Sequence, residues 1–187
     1  MTGPTSDVSV RVAWADDAGA IAELQLRRWR EQYAGVLPAE SLPDASAGSG
    51  DVGAASAAWQ RSLAKPGDAR NRVLVALERN RVVGFAITCP AADPDCDPVV
   101  DAELMELTVD AAERRRGHGS RLLQAAADTM RADRFRRAVL WAASTDDDLR
   151  GFLVGAGWAA DGAHRELDAA VPGAAHVRQV RLHTALS

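Results

Sequence analysis

Two glycines at the start of a helical segment are the first residues of this sequence whose spacing favours binding chemistry. Gly117 and Gly119 flank His118, and the apolar residues after Ser120 recur at helical spacing. The first N–H groups of a helix have no partner inside the helix, and they lie at the positive end of its dipole. Three arginines come directly before the glycines: Arg114, Arg115 and Arg116. This terminus is therefore predicted to bind a phosphate or pyrophosphate group.

The segment before the glycines is apolar from Leu104 to Val109 and predicts a strand, so residues 104–130 should form a strand, a loop and a helix. Two familiar nucleotide motifs do not match. The dinucleotide fingerprint needs a third glycine, where this chain has Leu122, and a P-loop needs a Gly-Lys-Ser/Thr run, whereas the only lysine is Lys65.

This stretch resembles the acyl-CoA loop of the GNAT (Gcn5-related) N-acetyltransferases, Arg/Gln-x-x-Gly-x-Gly/Ala, at residues 114–119. Two other sets of residues match segments of the family's bacterial members: Trp29, Tyr33, Gly35 and Pro38 in the first helical hairpin, and Phe152, Gly157 and Trp158 near the carboxyl end. The resemblance covers the chain from Val8 to Leu186.

The predicted elements follow in the order strand, two helices, strand hairpin, central strand, helix, strand, helix and two strands. The resemblance implies one GNAT-like α/β domain over residues 1–187. Its mixed sheet of six or seven strands would splay between strands 4 and 5, with about four flanking helices. Residues 42–56, rich in Gly, Ala, Ser and Asp, predict a mobile loop, which is either a long insertion or a lid over a substrate site.

The resemblance also implies a site for acetyl-CoA as co-substrate. Backbone groups of Leu107 and Val109 would pair with the pantetheine arm, and N–H groups from Arg115 to Ser120 would hold the pyrophosphate. The cofactor-binding residues are then Leu107, Val109, Arg114, Arg115, Arg116, Gly117, His118, Gly119, Ser120 and Asp146. The side chain of His118 is expected to face solvent beside the phosphates.

Two glutamates of the central strand are the candidates for a general base, which must remove a proton from the attacking amine. Glu103 and Glu106 are three residues apart, so on a regular strand they face opposite sides. The resemblance favours Glu103, which falls where the histone-acetylating branch keeps its base, whereas Glu106 lies closer to the expected acetyl group. Either could instead be an ordinary exposed carboxylate.

The stripe formed by Ala22, Leu26, Trp29 and Tyr33 predicts one face of a helix. It is interpreted either as core packing or, following the resemblance, as part of an acceptor pocket in which Trp29 and Tyr33 bind substrate.

The sequence departs from the family at two positions. Leu153 stands where a general-acid tyrosine is usual, and Asp146 stands where asparagine is common. Tyr33 is the only tyrosine of the chain and is the available substitute for that acid.

Composition restricts the class of partner. The net charge is −4, from 22 basic and 26 acidic residues, so neither nucleic acid nor a membrane surface is expected. The amino-terminal segment does not resemble a signal peptide, and a cytoplasmic protein is expected. Asp93, Asp95 and Asp97 alternate as in a calcium loop, but Pro98 replaces the required glycine, so no metal is expected. These aspartates would either be solvated or face a cationic substrate.

The sequence therefore predicts an enzyme that transfers an acetyl group from acetyl-CoA to a primary amine by direct attack on the thioester. The acceptor would be a small molecule or a peptide. The alternatives are a longer acyl donor and an acyl-CoA-binding regulatory or degenerate protein, which the absence of the usual tyrosine motivates. Since dimerisation is common in the family, a homodimer is also compatible with the resemblance.

Overall fold

The computed structural model describes residues 8–35, 37–167 and 176–186. Seven strands lie within these ranges: β1 (Val8–Val12), β2 (Arg72–Glu78), β3 (Arg81–Pro90), β4 (Asp101–Val109), β5 (Arg137–Ala143), β6 (Ala159–Leu167) and β7 (Val177–Ala185). The α-helices are α1 (Ala18–Tyr33), α2 (Gly50–Ala64), α3 (His118–Ala132) and α4 (Asp147–Gly155). A single sheet contains the strands in the order β1-β2-β3-β4-β5-β7-β6, which confirms the predicted mixed α/β fold.

The sheet opens between β4 and β5. These two strands run parallel and pair only over residues 101–103 and 137–139, whereas every other neighbouring pair is antiparallel. β4 continues to Val109 and β5 to Ala143 without further pairing between them. The predicted splay between strands 4 and 5 is therefore confirmed, and it leaves a cleft at the centre of the sheet.

Helices cover both faces of the sheet. The predicted apolar stripe of α3 is buried against one face, through Leu122, Leu123, Ala126 and Met130. On the opposite face, Ile21 and Leu24 of α1 pack against Val75 and Phe85. The cleft therefore lies between two packed layers, and α1 can place side chains in it from one side.

One extra residue interrupts the pairing of β4 with β3. Ile87 lies opposite Glu106, and Thr88 lies opposite Leu104, so Met105 has no partner on β3. An extra residue of this kind is a β-bulge, which bends the strand and increases its twist.

The bulge corrects the prediction that Glu103 and Glu106 face opposite sides. Their partners on β3, Cys89 and Ile87, are two residues apart and share one face of the sheet. Because Met105 adds one residue to β4, Glu103 and Glu106 share that face too. The prediction assumed a regular strand and was wrong for that reason.

The loop predicted over residues 42–56 is shorter than expected, because α2 already begins at Gly50. Ser49 caps this helix by accepting a hydrogen bond from the Val52 N–H at 3.2 Å. Asp51, in the first turn, accepts one from the Asp44 N–H at 2.7 Å. These capping residues define the helix start in a segment with little apolar periodicity. No helix in the described part of the chain is long and apolar enough to cross a membrane.

Candidate active site

A cavity of about 490 Å³ lies beside the start of α3, between the end of β4 that is not paired with β5 and the start of α4. We call it the glycine-loop cavity. It is lined by Arg28, Leu107, Thr108, Val109, Arg114, Arg115, Gly117, Gly119, Ser120, Asp146, Asp148, Leu149 and Phe152. Eight of the ten predicted cofactor-binding residues are among them, and the exceptions are Arg116 and His118.

The backbone around the two glycines opens the start of α3 to this cavity. Gly117 precedes the helix with a φ of 85°, a left-handed conformation that glycine adopts without strain. Gly119 lies next to Phe152, and a Cβ atom added to it would be 3.6 Å from the Phe152 ring. Arg115 lines the cavity and has no ion-pair partner among the residues that the structure describes. Unpaired N–H groups and a free guanidinium make this end of the cavity suitable for an anion.

Arg116 and His118 turn away from the cavity. Arg116 donates hydrogen bonds to Glu113 and, at 2.7 Å, to Glu78. The imidazole of His118 is only 1% exposed, and its Nε2 lies 3.0 Å from a Glu78 oxygen. The expectation that His118 faces solvent was therefore wrong, because the residue begins α3 on the buried side of the helix. Only backbone groups of His118 remain available to a ligand in the cavity.

A second cavity, of about 470 Å³, lies between α1 and strands β4, β5 and β7. We call it the glutamate cavity. Its lining consists of Gln25, Leu26, Arg28, Trp29, Gln32, Tyr33, Met105, Glu106, Leu107, Thr108, Leu140, Trp141, Ala142, Ala143, Asp146, Leu149 and Gln179. Of the two predicted catalytic glutamates, only Glu106 is among them. Trp29 and Tyr33 both line the cavity, so the end of the α1 stripe belongs to a pocket rather than to the core.

Glu106 has the environment of a general base. Its carboxylate accepts a hydrogen bond from the Thr108 hydroxyl at 2.6 Å. Burial raises the pKa of Glu106, although the Thr108 hydrogen bond and the positive charge of Arg28 act in the opposite direction. A carboxylate with a raised pKa accepts protons more readily near neutral pH than an ordinary glutamate does.

Glu103 lies where β4 is still paired on both sides, with Cys89 and Val139. It lines neither cavity. Burial and the nearby Asp93 raise the pKa of Glu103, and Arg165 lowers it. The two glutamates thus share a face but not a site, because only Glu106 lies beyond the point where β4 and β5 separate.

Tyr33 lies close to Glu106 in the glutamate cavity. Its ring meets that of Trp29 edge-on, with centroids 5.2 Å apart. Burial and the negative charge of Glu106 raise the pKa of the Tyr33 hydroxyl, so the hydroxyl keeps its proton at neutral pH.

An ion pair stands where the two cavities meet. Arg28 of α1 donates a hydrogen bond to Asp146, and both residues line both cavities. Asp146 also caps α4, by accepting a hydrogen bond from the Leu149 N–H at 3.1 Å. Sequence reasoning identified Asp146 but missed Arg28, because the two residues lie 118 positions apart and no local pattern connects them.

The sequence profile of the acetyltransferase (GNAT) family matches residues 27–157, a range that includes both the glycine loop and Glu106. The chain belongs to the GNAT family. A search among curated proteins gave no match.

Solved structures of other GNAT proteins have the same fold. The yncA protein of Salmonella typhimurium, solved with its cofactor acetyl-CoA, is 18% identical, with a TM-score of 0.70 over 97% of this chain and 95% of that one. Ribosomal-protein-alanine N-acetyltransferase of Brucella melitensis is 17% identical, with a TM-score of 0.71 over 95% and 99%. The paia N-acetyltransferase of Thermoplasma acidophilum, in complex with coenzyme A, is 16% identical, with a TM-score of 0.66 over 95% and 98%.

This GNAT protein also departs from the family pattern in its core. Leu153, at the place of the usual tyrosine, is completely buried among the residues that pack between α3 and the sheet. Phe152, its neighbour, reaches the glycine-loop cavity instead. The side chain at position 153 therefore takes no part in either cavity.

The acidic loop before β4 is neutralised by arginines of the protein itself. Arg181 is almost fully buried and donates to Asp95 at 2.6 and 2.7 Å and to Asp161 at 2.7 Å. It lowers the pKa of Asp95 to about 2. Asp93 accepts a hydrogen bond from the Trp141 indole at 2.8 Å. Of the two alternatives for this loop, the one in which it faces a cationic substrate is therefore not supported, because Asp93 and Asp95 already bind groups of β5, β6 and β7.

Two groups of side chains have metal-ligand spacing within the described residues: Glu78, Glu113 and His118, and Asp93, Asp95 and Cys96. Arginines already bind carboxylates in both groups. Arg81 and Arg116 pair with Glu113, and Arg181 pairs with Asp95. A cation would have to displace these guanidinium groups, and the expectation that no metal is bound stays a prediction.

Proposed function

We propose that this protein is an N-acetyltransferase that transfers the acetyl group of acetyl-CoA to a primary amine. The observation that carries the proposal is the meeting of two cavities beside the part of β4 that is not paired with β5. One has a helix start suited to anions, and the other contains a carboxylate with a raised pKa. A ligand in one cavity and an amine in the other could thus meet at the edge of β4.

Acetyl-CoA would occupy the glycine-loop cavity. The N–H groups at the start of α3 and the guanidinium of Arg115 fit the charge of a pyrophosphate. The edge of β4 at Leu107 and Val109 has no pairing with β5 and can offer backbone groups to the pantetheine arm. Solved GNAT structures that contain acetyl-CoA or coenzyme A support this choice of ligand.

The reaction would be a direct attack in the glutamate cavity. Glu106 accepts one proton from the ammonium form, and the neutral amine nitrogen then forms a bond to the thioester carbonyl carbon. The carbon–sulfur bond breaks, the thiolate of coenzyme A leaves, and the nitrogen loses its second proton, which replaces the one that the thiolate receives. Tyr33 is the group that we assign to protonate this thiolate, because its hydroxyl keeps its proton at neutral pH and Leu153 is buried elsewhere.

Thermal unfolding with acetyl-CoA, with coenzyme A and with NAD as a control tests the first half of the proposal. A ligand at about 100 times its dissociation constant adds about 2.7 kcal/mol to the free energy of unfolding. We expect acetyl-CoA and coenzyme A to stabilise the protein and NAD to have no effect. If no acyl-CoA raises the unfolding temperature at saturation, the proposal is wrong.

Gly119 offers a matched pair of variants for the same measurement. Gly119→Ala should keep the response to acetyl-CoA, since the added Cβ makes only an ordinary contact with Phe152. Gly119→Glu should lose it, because a carboxylate then lies where the pyrophosphate binds. A carboxylate in the first turn stabilises a helix by about 0.3–1 kcal/mol, so this variant should still fold. Gly117 is less suitable, because its φ of 85° strains any other residue.

The burial of Leu153 favours a second candidate function, a protein that binds acyl-CoA without efficient turnover. Leu153→Tyr is a poor test, because a larger polar side chain would enter a closed core. Release of coenzyme A in an amine screen is a better one. A clear thermal response to acetyl-CoA combined with no amine-dependent release would favour this second function.

A further inference from the structure

The charges in the glutamate cavity limit the kind of acceptor that fits. Arg28 is the only basic side chain among the described residues that line it, and its guanidinium binds Asp146. The other ionisable groups there are Glu106 and Tyr33. The one basic side chain of this lining therefore already has a carboxylate partner within the protein.

The amide groups of the cavity are also partly engaged. The side-chain oxygen of Gln25 accepts a hydrogen bond from the Trp59 indole at 2.9 Å. The side-chain oxygen of Gln179 accepts one from Arg165 at 2.7 Å. A polar acceptor would have to compete for these groups, whereas Glu106 keeps one carboxylate oxygen beyond its bond to Thr108.

Large apolar side chains at this cavity are exposed to solvent. Trp29 is 45% exposed and Met105 is 56% exposed, and both lie on the cavity wall with the ring of Tyr33. Burial of apolar surface contributes roughly 25 cal/mol for each Å². An acceptor with an apolar or aromatic body would cover these side chains, and a polyamine or a sugar would not.

From these contacts we infer that the acceptor is a primary amine on an aromatic body that carries no carboxylate, of which 2-phenylethylamine is the simplest probe. The inference rests on the proposed acetyltransferase function and narrows its substrate class. The amine would meet Glu106, and the ring would lie against Trp29, Tyr33 and Met105. A carboxylate on the carbon that bears the amine would instead lie close to Glu106 and Asp146.

Matched amine pairs test the inference on the wild-type protein. The kcat/KM for coenzyme A release should be at least about tenfold higher with 2-phenylethylamine than with phenylalanine, and higher with tryptamine than with tryptophan, since an unpaired carboxylate loses a charge-assisted hydrogen bond. Spermidine and a lysine-containing peptide serve as cationic comparisons. Equal or faster reaction with phenylalanine, spermidine or the peptide would overturn the inference.

Asp146→Asn tests the cause of this selectivity. The asparagine side-chain oxygen can still cap α4, but it no longer neutralises Arg28. In Asp146→Asn, we expect the ratio of kcat/KM for 2-phenylethylamine to that for phenylalanine to fall several-fold. In the double variant Arg28→Gln, Asp146→Asn, this ratio should return to the wild-type value. An unchanged preference in Asp146→Asn would show that the ion pair does not exclude carboxylates.

Failure of the inference is distinguishable from failure of the proposed function. If acetyl-CoA neither stabilises the protein nor yields coenzyme A with any amine, both are wrong. If acetyl-CoA stabilises the protein and coenzyme A is released fastest with a carboxylate-bearing or polycationic amine, only the inference is wrong. The thermal response of Asp146→Asn to acetyl-CoA shows whether that variant is folded, and the wild-type amine pairs decide the inference if it is not.

Discussion

The two cavities on either side of the Arg28–Asp146 pair are built in different ways. The glycine-loop cavity takes most of its lining from residues 107–120, a single strand, loop and helix start. The glutamate cavity combines side chains of α1, β4, β5 and β7, from Gln25 to Gln179. One site can therefore be recognised from a short segment, whereas the other exists only after the whole domain has packed.

Their electrostatics differ as well. Arg114 and Arg115 line the glycine-loop cavity, and the free N–H groups of α3 add to their positive character. The glutamate cavity has one ion pair and one half-buried carboxylate. This contrast suits an anionic ligand on one side and an amine with an apolar body on the other. Variants that affect one cavity and leave the other intact test the contrast directly.

The largest expected effect is that of Glu106→Gln. Loss of a general base typically costs about 10²- to 10⁴-fold in rate, so kcat should fall by this factor while acetyl-CoA still stabilises the protein. Glu103→Gln, the matched control on the same strand face, should change kcat much less. Steady-state kinetics and thermal unfolding of both variants make the comparison. A larger loss in Glu103→Gln would reverse the assignment of the base.

The raised pKa of Glu106 also gives a pH dependence with a definite sign. The folded protein holds this proton more tightly than the unfolded chain, so its stabilising effect is complete at low pH and is lost as the pH rises through the folded pKa. Glu106→Gln should therefore be more stable than wild type near pH 8 and no more stable near pH 4. Urea unfolding at the two pH values measures this. The acidic limb of the kcat/KM profile should disappear in the same variant.

Arg181→Met should have the next largest effect, which is a loss of stability. The change leaves Asp161, which is mostly shielded from solvent, without a cationic partner, and removal of one partner of a buried pair typically costs about 3 kcal/mol. The difference between variant and wild type in the free energy of unfolding should shrink as the pH falls from about 4 toward 2, where Asp95 loses its charge.

Arg150→Met is the control. It removes a solvent-exposed pair with Asp147 and should lower the free energy of unfolding by at most about 1 kcal/mol.

Replacements of Asp146 separate its two structural roles. Asp146→Ala loses both the ion pair with Arg28 and the cap of α4, whereas Asp146→Asn keeps the cap. Loss of a helix cap costs about 1 kcal/mol. Urea unfolding should therefore find Asp146→Ala less stable than Asp146→Asn by about this amount. Equal stabilities would mean that the cap contributes little to α4.

The smallest expected effect distinguishes two adjacent arginines. Arg115→Gln should weaken acetyl-CoA binding by about 3- to 10-fold, which corresponds to one exposed charged contact. Arg116→Gln should leave the affinity within about twofold, because that side chain binds Glu78 and Glu113 away from the cavity. Calorimetric titration of both variants with acetyl-CoA measures these affinities. Similar losses of affinity in the two variants would contradict the side-chain directions that the structure gives to Arg115 and Arg116.

The sequence was informative where the site is local. Glycines, arginines and helical periodicity near Gly117 predicted a strand, a loop and a helix start whose residues line the glycine-loop cavity, because each signal lies within a few residues of the others. The same pattern could not show that Arg115 lines the cavity and that Arg116 points away from it. The backbone turn before α3 sets the directions of these two side chains. Arg28 could not be found at all, because its partner is brought to it only by the packing of α1 against the cleft.

The prediction that Glu103 and Glu106 face opposite sides of the sheet was wrong for a related reason. Spacing along a strand predicts a face only if the strand is regular, and nothing in the letters around Met105 marks it as an extra residue. Its effect becomes visible only in the pairing with β3, where Ile87 and Thr88 show the shift. The overall fold was predictable because the periodicity of apolar residues indicates helices and strands over many positions. A bulge shifts that periodicity by a single position and leaves no comparable pattern.

The bulge at Met105 has a consequence for how this domain tolerates changes in length. It lies two residues after Glu103, the last residue of β4 that pairs with β5, so the bend that it introduces is close to the opening of the sheet. We expect deletion of Met105 to keep Glu106 on its face and to remove this bend from β4. In genetic terms, one codon sets the bend of the strand beside the cleft.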